Sequence, residues 1–427
     1  MNPRRAEQLF TEISRLEIVD THEHLVNRGM LEALGFNLIH ALELNYLKDN
    51  LLALGMDEGY MLEGGMDFDA LIDDLILLLG RTRNTTYYRA LFQSFRDLHG
   101  LREPELEREN LRSVSESIRQ AYSREGWYRH VIRERCNIRY MLRDMAYMTA
   151  DADFIRPVIR MDSYLMLRHR KLLQNWVERA APVYSPYVPE AEYKAKIRSL
   201  EDYLGLLRGD FERAIAFGAV AVKIGIAYER TLRFDRVSIE EANRAFTLSD
   251  EKTSWSDIKT FQDFVFFTIL EYAAEFDLPV QIHTGIFAGG KGVLANSNPS
   301  QLNNVFLAFP ETRFDIFHGG FPFTGEMGSL ALMFPNVYLN VCWLPLISLA
   351  GFKRALGEWL CYVPAAKFLW GGDGHFVEEI YGAVCMVRQG LSEVLADKVE
   401  DGEMDFEHAV AIARGILHDN AVRFFRL

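Results

Sequence analysis

Short apolar runs, each stopping at a polar or charged residue, recur along this chain with helix-period stretches between them. In the second half, Ala219–Tyr228, Leu278–His283, Arg313–His318, Asn336–Val341 and Lys367–Asp373 read as strands. Phe261 to Phe276 reads as a helix, with Phe264, Phe267 and Leu270 recurring on one face. Alternation of this kind predicts a parallel sheet, because a crossover helix returns the chain so that successive strands run the same way. Upstream, Cys136–Asp144 and Phe154–Asp162 look like two more strands, and the first is Glu17–Leu25. Counted from Ile18, there are eight, near residues 18, 137, 155, 219, 279, 313, 336 and 367. The expected fold is therefore α/β, a TIM (β/α)8 barrel.

The whole chain, residues 1–427, reads as a single barrel, with a helical insertion at 26–135 after strand one. Within it, Leu71 to Leu79 repeats apolar pairs four apart, and Leu111, Val114, Ile118 and Ala121 keep helical spacing. An insertion after a barrel strand emerges on the face that carries active sites. It is expected to form a cap, and exposed apolar helices in it would favour a homo-oligomer. Shorter insertions are expected at Pro182–Ser199 and Thr231–Ser256.

A net charge of −13 argues against nucleic-acid or anionic-membrane partners, which need a positive field. No run of about 18 uncharged apolar residues appears, so nothing is expected to span a bilayer. The N-terminus has no apolar stretch after its charges, and Cys136, Cys342, Cys361 and Cys385 show no CxxC spacing. These features suit reduced core thiols in a cytoplasmic protein.

The chemistry-bearing residues fall where the apolar runs stop. His22 and His24, in Asp20-Thr21-His22-Glu23-His24, are alternate residues of a strand and project together, a geometry suited to gripping one divalent ion. His283 ends the fifth run and His318 the sixth, while Asp373 ends the eighth within Gly371-Gly372-Asp373-Gly374. In a closed barrel the eighth strand neighbours the first, so Asp373 can approach His22 and His24. Imidazole with carboxylate suits Zn²⁺, with Mn²⁺, Fe²⁺ or Ni²⁺ also compatible.

This pattern resembles the amidohydrolase superfamily: HxH on strand one, His on strands five and six, and Asp on strand eight. Ile416–Phe425 looks like the terminal helix of the amidohydrolase 2 branch. Lys223–Arg230, Val280–Gly285, Phe334–Tyr338 and Gly372–Gly374 are similar to the amidohydrolase-like domain fused to glutamine-synthetase-like domains. The resemblance implies one or two metal ions held by His22, His24, His283 and Asp373. It also implies Asp373 as the proton carrier and His318 as the group that polarises a carbonyl or orients water. Lys223 occupies the strand on which binuclear members carry a carbamylated, metal-bridging lysine; unmodified, it could pair with a substrate carboxylate. Tyr228, Arg230, Arg143 and Arg160 are candidate substrate contacts. The implied activity is metal-dependent hydrolysis of an amide, lactone or ester bond in a small carboxylate-bearing substrate. Two alternatives are a uronate-isomerase-like reaction and a decarboxylation; a binding module without catalysis is the third.

Overall fold

The computed structural model describes residues 3–104, 106–145, 153–166, 199–248, 252–290 and 292–427. Eight parallel strands follow one another around a barrel in chain order: β1 Ile18–Glu23, β2 Ile138–Met145, β3 Ile155–Arg160, β4 Ala221–Ile224, β5 Val280–Ile282, β6 Phe314–Ile316, β7 Val337–Asn340 and β8 Phe368–Leu369. Backbone bonds from Thr21 N to Trp370 O (3.1 Å) and from Asp373 N to His22 O (2.9 Å) join the last strand to the first. The fourth run is shorter than its apolar sequence suggests. It leaves the sheet at Gly225, whose N–H donates to the Asp162 carboxylate, and continues as a 3-10 turn at Ile226–Tyr228.

The barrel interior is layered. At the bottom Val19, Leu142, Val158, Ala221 and Leu369 pack on Ala421, Phe424 and Phe425, so the C-terminal helix Asn420–Phe425 plugs that end. Above them lies a polar layer. Gln281 Nε2 donates to Thr21 O and to Asp315 Oδ2, both at 2.9 Å, and Asn340 Nδ2 donates to Thr21 Oγ1 at 2.8 Å and to Asp315 Oδ2 at 3.1 Å. All four side chains are fully buried. Burial pushes the Asp315 carboxyl up to about 7, against the two amide donors.

Between β1 and β2 a series of helices, joined by loops, lies between Arg28 and Arg135 among the described residues. The apolar residues of this insertion, including Ile72, Leu75, Leu79, Phe92, Phe95 and Ile118, are buried in a core continuous with that of the barrel. It is fastened to the barrel through helix Val377–Glu400, which follows β8 and packs on insertion helix Thr86–His99. The fully buried Glu378 carboxylate accepts from Tyr122 OH (2.8 Å), His99 Nε2 (2.9 Å) and Trp127 Nε1 (3.3 Å), all in the insertion. A carboxylate in the first turn of a helix is also favoured by the helix dipole. Of the shorter expected insertions, residues 182–198 lie outside the described residues. The 231–256 segment carries helix Ile239–Thr247.

Two predictions follow from these buried groups. Glu378→Ala leaves three donors without their acceptor and is expected to destabilise the fold by about 3 kcal/mol, with Glu378→Gln less harmful; thermal unfolding measures both. The raised Asp315 carboxyl makes the folded chain hold a proton that the unfolded chain releases near pH 4. Its contribution is therefore present at low pH and is lost as pH rises towards about 7. Asp315→Asn is expected to raise the melting temperature above pH 7 and to flatten its decline between pH 4 and 7.

Candidate active site and metal centre

His22, His24 and Asp373 meet at the floor of a cavity of about 430 Å³ at the C-terminal mouth of the barrel. Asp373 Oδ1 lies 3.2 Å from His22 Nε2 and 3.3 Å from His24 Nε2. Two donors on a tetrahedral ion, each about 2.1 Å from it, stand about 3.4 Å apart, so these separations match those of ligands sharing one cation. Burial and the nearby Lys223 ammonium push the His22 imidazole down to about 3, which keeps it neutral and able to ligate. Burial alone would raise the Asp373 carboxyl. Hydrogen bonds from His22 and His24 outweigh it and hold Asp373 well below the usual carboxylate range.

His283 and His318 form a second group beside the first. His318 Nε2 faces His283 Nδ1 at 2.9 Å. The other nitrogen of each ring faces a backbone carbonyl: His318 Nδ1 lies 3.2 Å from Cys342 O, and His283 Nε2 lies 3.0 Å from Ile286 O. A carbonyl can only accept, so each ring carries its proton on that side when neutral. Burial, His283's contact with His318 and the nearby Lys223 keep His283 well below its ordinary pKa. Burial pushes His318 down to about 4. Two neutral rings so oriented point lone pairs at each other, an arrangement relieved by a shared proton or by a cation. The Cys342 thiol, at the end of β7, converges with His318 and Asp373 in a second possible ligand group.

The expected ligands are therefore not one cluster: His22, His24 and Asp373 come together, while His283 is drawn to His318, whose Nδ1 is 4.0 Å from Asp373 Oδ2. Lys223 lines the same floor. Its Nζ is 3.4 Å from His22 Nε2 and 3.6 Å from the centre of the Phe317 ring. Burial pushes its ammonium down to about 8 against the pull of Asp144 and Asp373.

Arg160 also lines the cavity, held by Asp144 and Asp162 at 2.7 Å each. Tyr228 is there too, its hydroxyl accepting from Ala288 N at 3.2 Å and its ring 4.6 Å from His283. Arg230 is not. It is 2% exposed and turned into the scaffold, where it donates to Asp263 Oδ1 and Arg233 O, both at 2.7 Å. Arg143 is buried outside the cavity lining.

The insertion supplies much of the opposite wall, including Glu43, Asn45, Tyr46, Lys48 and Asp49. Tyr46 is 8% exposed, wedged between Trp343 (4.5 Å) and His375 (5.4 Å), and among the described residues no hydrogen bond to its hydroxyl is formed. His375 stacks on His24 with ring centres 5.4 Å apart. Glu379 fixes His375 through its backbone N–H (2.8 Å) and Nδ1 (3.2 Å), and the same carboxylate accepts from Asn45 Nδ2 at 2.8 Å. Tyr46, Asn45 and Glu379 carry no sequence signal of their own. His375 and Cys342 do sit just past strand ends, the position that marks the other site residues.

Backbone strain collects here. His318, Trp343 and Asp373, at the turns after β6, β7 and β8, have φ of 61°, 60° and 65°. A non-glycine residue in this left-handed region costs about 1 kcal/mol or more and persists where surrounding contacts over-determine it.

The sequence profile of the amidohydrolase family matches residues 211–427, half of the chain, which takes in the Lys223, His283, His318 and Asp373 positions. The chain belongs to the amidohydrolase family. Members of its superfamily are metal-dependent enzymes, and the donor groups at the cavity floor fit that requirement. A stretch of 152 residues is 36% identical to protein fluG of Emericella nidulans; it covers 35% of this chain and 17% of fluG. Among solved structures, uronate isomerase of Thermotoga maritima superposes with a TM-score of 0.77 at 16% identity over 99% of this chain and 97% of its own. Glucuronate isomerase of Caulobacter crescentus gives 0.76 at 15% over 100% and 95%. At such identity the likeness is one of fold, and it extends through the helical insertion. No helix among the described residues is long and apolar enough to cross a membrane.

Elemental analysis of Zn²⁺-loaded protein is expected to find at least one tightly held ion per chain. His22→Ala and Asp373→Ala should each weaken Zn²⁺ binding more than about 100-fold, whereas Arg230→Lys, outside the cavity, should leave it unchanged.

Proposed function

We propose that this protein is a metal-dependent hydrolase that cleaves an amide, lactone or ester bond in a small molecule. The carrying observation is the meeting of His22, His24 and Asp373 donor atoms at ligand-to-ligand distance on the floor of the cavity at the barrel mouth. His22, His24 and Asp373 would hold the first ion; His283, His318 and Cys342 are the donors available to a second. A bound divalent ion supplies Lewis acidity, polarising a carbonyl and lowering the pKa of water towards about 7; Zn²⁺ is the preferred ion for this donor set.

The chain's own residues divide the remaining work. Asp373, with Oδ2 turned towards His318, takes a proton from the attacking water and returns it to the leaving group. His318, with its proton on Nδ1, can orient the water by accepting from it at Nε2, which requires Nε2 to exchange His283 for that water. Tyr46 has a hydroxyl free of protein partners among the described residues and can donate it to a substrate oxygen. A substrate carboxylate would find Lys223 and Arg160, two cations in the cavity lining. Lys223 serves in that role if unmodified, or as a bridging carbamate if two ions bind; intact mass, raised or not by one carbon dioxide, separates the two.

The full-length likeness to uronate isomerases supports a second reading, isomerisation of a sugar acid. Against it, Arg230 and Arg143 lie outside the cavity and Arg160 is clamped between two aspartates. Assay of the metal-loaded protein on amides, lactones and uronates in labelled water decides between them. Hydrolysis places heavy oxygen in the product. Isomerisation instead exchanges a substrate C–H with deuterated solvent, and decarboxylation releases CO₂. Exchange or CO₂ release without incorporation of heavy oxygen would overturn the hydrolase reading.

A further inference from the structure

Glu23, between the two histidines of HxH, points away from the face that carries them, yet it is fully buried. Its Oε2 accepts the N–H of Gly374. Asp20, three residues earlier, accepts the N–H of Gly372 at 3.1 Å and of His22 at 3.2 Å on Oδ1. Between them, Asp373 N donates to His22 O at 2.9 Å. Three consecutive amides of the turn after β8 are thus gripped by one segment of β1. The return bond, His24 N to Gly374 O at 2.9 Å, closes the frame. The two carboxyls lie beside each other, and Asp20 Oδ2 and Glu23 Oε1 have no hydrogen-bond partner among the described residues.

The fit leaves no room for substitution. A Cβ at Gly372 would collide with Glu23 Oε1, and one at Gly371 would lie 2.8 Å from the His22 backbone nitrogen. Asp373, in the middle, is held at φ 65°, a conformation that an aspartate does not favour without such restraint. The restraint aims its Oδ1 at both histidines.

We propose that Glu23, together with Asp20, is a positioning pair for the metal centre: it holds the turn after β8 in its left-handed form so that Asp373 reaches His22 and His24. The role concerns the shape of the site and rests, for its functional meaning, on the metal reading above. Glu23 touches no substrate. It acts through Asp373.

The test uses the full chain with Zn²⁺ as probe and joins competition titration to crystal structures of the metal-free variants. Glu23→Leu, alone and with Asp20→Asn, removes the acceptor for Gly374. It is expected to weaken Zn²⁺ binding about 10- to 100-fold and to carry Asp373 out of contact with both histidines. Glu23→Gln keeps an acceptor for Gly374 and offers Asp20 a donor, so Zn²⁺ affinity should stay within about threefold of wild type. Ile72→Ala, buried in the insertion, is the stability control: it should lower the melting temperature and leave Zn²⁺ affinity unchanged. The proposal is overturned if the Leu variant keeps Asp373 in place, if it keeps wild-type Zn²⁺ affinity, or if Gln fails to rescue. Were the wild-type chain itself to bind no Zn²⁺, the metal reading would fall, while the metal-free structures would still decide whether Glu23 sets the turn.

Discussion

Asp373 lies almost fully buried against two imidazoles at the cavity floor, and the architecture around it can be understood as the means of keeping it there. A buried carboxylate is tolerated when it is paired and hydrogen-bonded. Here His22 and His24 supply the partners, and the turn that carries Asp373 is tied to the strand that carries them. The barrel makes this economical in chain terms, since its last strand closes on its first. Residues 350 positions apart along the chain become neighbours in one backbone ladder. Below, the polar layer around Asp315 separates this ionisable floor from the apolar plug made by the C-terminal helix.

The strand pattern and the polar residues at the strand ends were open to reading from sequence because both depend on local periodicity. A strand buried on both faces must be short and apolar, and a polar residue that ends it must leave the sheet at the mouth. His22, His24 and Asp373 come together for that reason. The arginines show where such reading stops. Arg230 follows a strand just as a substrate contact would, but its counter-charge is Asp263, on a helix that follows, and nothing in the local pattern shows that the side chain turns inward to it. Tyr46 and Asn45 are equally silent in sequence. Their place at the site depends on how a long helical excursion folds back over the barrel. Cys342 resembles any core thiol until β7 delivers it beside His318.

The paired His283 and His318 show how hydrogen-bond direction constrains chemistry. Two backbone carbonyls dictate which nitrogen of each ring is bare, and the bare atoms face each other. A single-ion site and a two-ion site therefore differ in what occupies that gap, and Lys223 stands beside both groups. Arg160, which has its own aspartates, is a fixed wall of the cavity more than a mobile arm.

Glu378 and Glu379 are consecutive residues that reach in different directions, one into the insertion and the other to His375 and Asn45 at the cavity. They act as the two ends of a rigid spacer set in the first turn of one helix. A disturbance in the packing around Tyr122 or Trp127 is thereby handed on, without any moving part, to the imidazole stacked on His24. The cap and the cavity floor thus form one mechanical body. Exchanging this cap for that of a relative would require transplanting its glutamate anchor as well.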